Sequence, residues 1–455
     1  MNNVRPKLYL LSEEQIEQAH LYTLHVPSET GVCVDSPSIL ALLEHKLDLK
    51  ADGCTIHFPA EVVEEAIHSA PKTIDAFNRR GENTLTLGAD CLRFGIGVTV
   101  LFYQEPVNDY LDPFTRKNFQ DLVRVGSSLL LYDVVSTVGI VRDVPENFTD
   151  LYGSLEHIAN TAKPLVLFVS DENQFLSVLK MFESLHGDLG DKPFILPYFD
   201  PISPLGLNAG TVDKMQFAIE RGLPIIFSNY SMASASTSLT PAGTLSWLNA
   251  ELVAGLVIRQ TIRKGTPILP GKLPVYLDMR SMLNFYDPQS VLISVACSEL
   301  MAHYGIPYCS TSRGTGWGMD LIAEDAYWMN TLSLLLSRGS LAPFVGDSHC
   351  SKSISPMTII HVHEVIDQTL RVADGFQLDD ARAALDEIAK VGPGGNFLSQ
   401  PSTLENYKNG YYVSRVYPQF KYCARKRRLC LSLFLHQIDD HDELNRKGEE
   451  FIRKQ

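Results

Sequence analysis

The sequence predicts an α/β chain folded as a (β/α)8 barrel of the TIM type, with an N-terminal helical extension and a C-terminal helical tail. Three observations carry this. Short apolar, β-rich runs recur eight times between residues 98 and 345, with longer segments of helical period between them. The runs are apolar throughout, so their strands are buried on both faces, which calls for a parallel sheet covered by helices. The glycine fingerprints GxGxxG and GxxxxGK are absent, which removes the main support for an open nucleotide-binding sheet.

The elements follow in order. Ser12 with Gln15 three residues on predicts a capped helix start, and Ile16, Ala19, His20 and Leu24 fall on one face before Pro27 and Gly31 end it. Ser36-Pro37 opens a second helix through Leu43. Pro59 opens a third, carrying Val62, Val63, Ala66 and Ile67, which stops near Pro71. Thr55–Phe58 reads as a short strand. Residues 1–90 therefore form a mostly helical extension.

Residues 91–390 form the barrel. Its strands are expected at Val98–Tyr103, Val134–Val141, Leu165–Val169, Phe194–Phe199, Pro224–Phe227, Pro267–Leu269, Ile306–Cys309 and Leu341–Val345. Helices are expected at Phe119–Leu131, Asn173–His186, Thr211–Arg221, Leu245–Lys264, Pro288–Tyr304, Ile322–Arg338 and Met357–Phe376. Lys163-Pro164, Lys192-Pro193, Leu223-Pro224, Thr266-Pro267, Ile306-Pro307 and Ala342-Pro343 mark where strands begin, since proline is tolerated at a first strand residue. Residues 391–455 are a helical tail behind the breaker Gly392-Pro393-Gly394-Gly395. The run Lys421 with Arg425-Lys426-Arg427-Arg428 reads as a solvated face.

The 39 Lys+Arg against 53 Asp+Glu leave a formal charge of −14, which argues against a nucleic-acid partner. The eight cysteines include no CxxC pair and read as mostly reduced thiols. The N-terminus lacks the apolar run of a signal peptide, and no apolar stretch reaches the roughly 18 residues that span a membrane, so a cytoplasmic protein is expected.

The strand starts fix the opposite, C-terminal ends, where barrel active sites lie. Those ends carry Tyr103, Ser170-Asp171, Tyr198-Phe199-Asp200, Ser228 to Met232, Ser310 to Arg313 and Gly346 to His349. Paired carboxylates of the glycosidase kind are missing, and so is a clustered His and Asp set for a metal. His361-Val362-His363 lies in a helical pattern that points the two rings about 200° apart, so they do not share an ion.

Several stretches resemble the trimethylamine methyltransferase (MttB) superfamily, in the family's order. They are Leu11 to Gln15 with Glu29 to Val32, Ala70-Pro71-Lys72, GIGVTV at 95–100, SLTPAGTLSWLNAELVAGLVIRQTIRKGTP at 238–267, and GPGGNFL at 392–398. The resemblance implies a cobalamin-dependent methyltransferase whose corrinoid cofactor rides on a separate corrinoid protein. Founding members use pyrrolysine to demethylate trimethylamine. The corresponding region here, SRGTGWGMD at 312–320, has Trp317 near that position. The chain therefore resembles the non-pyrrolysine branch, which demethylates quaternary amines, with glycine betaine the first expectation. A barrel that binds or senses such amines without turnover, and a lyase or hydrolase barrel, are the alternatives. The resemblance leaves the oligomeric state open to a homo-oligomer.

A quaternary ammonium is held by aromatic faces. Tyr103, Tyr198, Phe199 and Trp317 are the candidates for that cage, with Phe344 the one most easily read as core. Arg313 and His349, with Lys352 behind them, are candidates for a substrate carboxylate. Gly314, Gly316 and Gly346 are candidates for close approach of the cofactor. No catalytic residue is assigned; Glu251 and Asp320 are the acids to test. No protein-bound metal is expected.

Overall fold

The computed structural model of the protein describes residues 3–88, 91–310, 314–318, 320–408 and 410–414. The chain divides into two units, Met1–Leu385 and Asp386–Gln455.

In the first unit, seven parallel strands stand side by side: Arg93–Ile96, Val134–Ser136, Leu165–Leu167, Ile195–Phe199, Ile225–Ala233, Ile268–Asp278 and Leu341–Val345. The remaining position is filled at Cys309, which makes parallel bridges to Gly271 on one side and to Leu341 on the other. The ring is thereby closed. Helices Arg116–Ser128, Thr149–Asn160, Glu172–His186, Ala209–Glu220, Pro241–Ile262, Pro288–His303, Leu321–Leu336 and Pro356–Asp374 follow the strands in turn, which is the (β/α)8 order. Their starts are local chemistry: Thr115, Asp171, Thr240, Asp287, Asp320 and Ser355 each accept a bond from a first-turn amide.

Three details differ from the sequence expectation. The first barrel strand is Arg93–Ile96, and the apolar run after it leaves the barrel: Phe102–Gln104 pairs instead with Ser353–Ile354 and Leu111–Pro113. Thr149–Asn160 is a helix that was not singled out. Pro343 lies inside the last strand, where the pairing with the first strand shifts register between Ala342 and Val345 and so needs no amide from it.

The N-terminal extension has the three expected helices, Glu13–His25, Pro37–Leu47 and Ala60–Ser69, and a capping box joins Ser12 to Gln15. It does two things for the barrel. The hairpin of Ile74–Phe77 and Asn83–Leu87 puts Ile74, Ala76, Leu85 and Leu87 into one cluster with the barrel's Val134, Val166, Leu196, Ile226 and Leu269. Phe77 N donates to Pro193 O, beside a strand start, so this hairpin is the floor. Its helices also cover the long Pro241–Ile262 helix, in which Leu248 to Gln260 are buried without a break. By length and composition that helix could cross a membrane, but most of it is enclosed in the fold, as an all-round apolar helix in a large core should be.

Cys33 and Cys54 form a disulfide with Cα atoms 4.9 Å apart, against the expectation of reduced thiols. Antiparallel pairing of Val32–Val34 with Thr55–Ile56 brings them within bonding reach, a contact that sequence spacing does not reveal. Cys91, Cys297, Cys309 and Cys350 are outside any disulfide. In the second unit, Glu387 accepts from Ser402 N at 2.9 Å and from Ser402 Oγ, tying the helix Leu385–Val391 to the helix Pro401–Asn406 across the 392–398 turns. The basic run 421–428 lies outside the described residues.

Candidate active site

With the floor closed, the barrel opens at the C-terminal ends of its strands. Side chains alternate along a strand, so one residue in two faces the lumen. On the fourth strand Leu196 and Tyr198 face in, while Phe199 faces out and packs edge-on against Phe175 of the covering helix, with centroids 5.7 Å apart. Tyr198 meets Phe344 of the eighth strand at 5.0 Å and 74°, and Phe168, just beyond the third, at 6.0 Å. Three rings from three sides of the barrel therefore converge above the aliphatic floor.

Polar groups stand among them. The Tyr198 hydroxyl lies beside Ser228 and Asp200, and burial with the Asp200 charge pushes its pKa well above the ordinary value. The Asp200 carboxyl is raised to about 7 by burial, against the opposing pull of the Tyr198 hydroxyl and the Lys214 ammonium. Asp200 Oδ1, Ser228 Oγ and Ser310 Oγ are buried without a hydrogen-bond partner. Unpaired buried polar atoms are costly, so their concentration at a barrel mouth marks a binding site. Cys309 is in the same interior cluster, and burial with the Asp200 charge pushes its thiol far up, which leaves it a poor nucleophile.

The loops after the seventh and eighth strands form the adjoining rim. His349, Cys350 and Ser351 have φ of 54°, 54° and 64°, three consecutive left-handed residues with side chains. Such strain persists only where the surroundings hold it, and it gathers at functional sites. Here His349 N donates to Gly316 O and Cys350 N to Gly314 O, both at 2.9 Å. Asp347, its carboxyl raised to about 7 by burial, accepts from Ser351 Oγ at 2.8 Å through Oδ2, while Oδ1 is unpartnered.

The other expected residues scatter. Tyr103 sits in the Phe102–Gln104 strand, packed with the outer core and feeling the Asp121 charge of the first barrel helix. Trp317 is 73% exposed and stands edge-on to His349 at 5.2 Å. His349 Nδ1 bonds Ser353 Oγ at 2.6 Å, and Lys352 is exposed. Arg313 lies outside the described residues. Both acids accept from donors of the chain itself. Asp320 caps the Leu321–Leu336 helix, and Glu251 is a buried tie accepting from Ser203 Oγ, Leu205 N and Asn229 Nδ2 at 2.5–2.8 Å. The three glycines pack loops and do not form a cradle. A Cβ on Gly314 would meet Asp347 O at 2.1 Å, one on Gly316 would meet Ala323 at 2.8 Å, and one on Gly346 would meet Ile359 at 3.2 Å. His361 and His363 part as expected, to Glu324 and to Leu131 N.

The sequence places Asp200 and Asp347 at strand exits without giving them a role, and it does not single out Phe168. The period-two rule applied from Tyr198 would have found Asp200 and rejected Phe199; Phe168 lies one turn of the same rule along its own strand from Val166.

The profile of the trimethylamine methyltransferase (MTTB) family matches residues 1–422. A glycine betaine methyltransferase of Desulfitobacterium hafniense is 27% identical over 430 residues, 91% of this chain and 87% of that one. A proline betaine:corrinoid methyltransferase of Eubacterium limosum is 23% identical, covering 90% and 86%. Among solved structures, the monomethylamine methyltransferase of Methanosarcina barkeri superposes with a TM-score of 0.54 at 8% identity, covering 81% of this chain and 80% of that one, a likeness of fold.

Proposed function

The chain belongs to the trimethylamine methyltransferase (MttB) family, and from that premise we propose that it transfers a methyl group from a quaternary amine to the Co(I) of a corrinoid. The observation that carries this reading is the set of rings Phe168, Tyr198 and Phe344 at the open end of the barrel. Each face attracts a tetraalkylammonium through its quadrupole, with about 0.5–2 kcal/mol per ring. Glycine betaine is the first substrate to try, since a relative carries that name.

Co(I) supplies a very strong nucleophile. In the transfer the N–CH3 bond breaks with its electron pair left on nitrogen, a C–Co bond forms, and a neutral tertiary amine departs. No proton moves, so the protein needs no general acid at the amine. Its task is to fix the cation with one methyl turned toward the mouth, which is catalysis by orientation.

The corrinoid is read as a visiting co-substrate on a partner protein. A Cβ on Gly314, Gly316 or Gly346 would meet the chain's own atoms, so these glycines serve close packing within the chain. The rim around the mouth instead carries large apolar side chains in solvent: Met279, Met282, Trp317 and Leu321 are 71%, 68%, 73% and 85% exposed. They sit on the overhang beyond the sixth strand, on the loop after the seventh strand position and at the first residue of the helix that follows it, where a carrier must dock for its cobalt to reach the rings. Incubation with cob(I)alamin and glycine betaine, proline betaine or carnitine, followed by the absorbance of methylcobalamin, tests the activity. No methylcobalamin from any of the three overturns it.

A further inference from the structure

We propose that Asp200 is the counter-ion of the bound quaternary nitrogen: its carboxylate lies in the lumen beside the Tyr198 ring and holds one oxygen free of any donor. This rests on the reading of the mouth as an amine site. Asp200 follows Tyr198 by two residues, so the alternation that turns Leu196 and Tyr198 inward carries it onto the same face, one step nearer the opening. Its charge acts on Cys309, which belongs to the seventh strand position and to the interior cluster, as well as on Lys214 of the helix Ala209–Glu220.

The groups facing it are few. The Tyr198 hydroxyl is alongside, and the Cys309 thiol is held neutral. Lys214 contributes charge from the Ala209–Glu220 helix, but its Nζ donates to Val169 O at 3.0 Å and its field is shared with Asp150, Asp171 and Glu172. Thr211 Oγ bonds the Asp200 backbone carbonyl, not its carboxylate. Asp200 Oδ1 is buried and unpartnered. That arrangement suits a cation without N–H bonds. A tetraalkylammonium cannot donate a hydrogen bond, so a carboxylate already saturated by donors would give it little, whereas one that keeps an oxygen free beside aromatic faces pairs with it directly. Burial also holds the free carboxyl near neutrality, at about 7. The sign follows: below that pH the proton removes the negative charge and cation affinity falls, and above it affinity reaches a plateau.

The test is calorimetric and needs no turnover. Glycine betaine is compared with 3,3-dimethylbutanoate, which has the same shape and carboxylate but carbon in place of nitrogen, at pH 6 and pH 8. The wild type is expected to prefer betaine at least tenfold at pH 8, with the preference shrinking several-fold at pH 6. Asp200→Asn is expected to lose most of the preference and its pH dependence, while Asp200→Glu retains the pH dependence. A wild-type preference that is flat between pH 6 and 8 overturns the assignment without any variant, as does an Asp200→Asn protein that discriminates like the wild type. If the wild type binds none of glycine betaine, proline betaine and carnitine at either pH, the amine reading itself falls and Asp200 with it.

Discussion

The rings of Tyr198 and Phe344 meet edge to face across the barrel mouth, centroids 5.0 Å apart and planes at 74°. The next residue, Phe199, turns the other way and closes on Phe175 under the helical layer. Two adjacent aromatics on one strand thus serve opposite ends, one presenting a π face to the lumen and the other filling core.

That division makes the first prediction. Tyr198→Leu should weaken glycine betaine binding by about 0.5–2 kcal/mol, roughly two- to thirtyfold, with little change in unfolding midpoint. Phe199→Ala should cost about 3–5 kcal/mol of stability and leave the affinity of the folded protein unchanged. Parallel calorimetry and urea denaturation measure both. Equal behaviour of the two variants would refute the assignment of faces.

The same pair shows what the sequence could and could not deliver. Strand and helix order is legible because apolar period is a local property: six of the eight β-rich runs lie in barrel strands, and the seventh position is held by the bridging Cys309 alone. The inward side of each strand is less evident: Tyr198 and Phe199 both end a β-rich run, but alternation permits only one to face the lumen. Glu251 drew attention as an acid in a family-like stretch, and its partners, Ser203, Leu205 and Asn229, come from elements 22–48 residues away that spacing alone does not bring together. Cys33 and Cys54 failed for the same reason, since antiparallel register decides their meeting. Asp320 was legible as a cap in retrospect, standing directly before a helical run with Ala323 three residues on.

Glu251 gives the second prediction. Its carboxylate satisfies three donors and lies within the field of the buried Lys272, whose Nζ reaches Asn249 Oδ1 at 3.3 Å and Cys297 Sγ at 3.0 Å. Removing it strands those donors, each at about 1–3 kcal/mol. Glu251→Ala should therefore lower unfolding free energy by about 3 kcal/mol or more, and Glu251→Gln by less, since the amide oxygen still accepts. Betaine affinity at low temperature should stay within twofold of wild type, because the residue does not face the lumen. A Glu251→Ala protein that unfolds like the wild type but has lost methyl transfer would instead make this acid catalytic.

The last prediction concerns the rim. Met282, beyond the sixth strand, and Leu321, the first residue of the helix Leu321–Leu336, stand in solvent, 68% and 85% exposed, and neither belongs to the ring cluster. A charge placed on either should repel an apolar docking face without disturbing the amine site, because surface substitutions of this kind change stability by only about 0.5 kcal/mol. With free cob(I)alamin as acceptor, Met282→Asp and Leu321→Asp should transfer methyl groups at the wild-type rate. With a cobalamin-loaded carrier protein below saturation, the rate should fall at least tenfold through a raised KM for the carrier, with kcat preserved, since most interface changes act on complex lifetime. Sedimentation of the two variants alone distinguishes self-association: if these side chains cover a second copy of the chain, the substitutions will dissociate an oligomer and leave the carrier KM where it was.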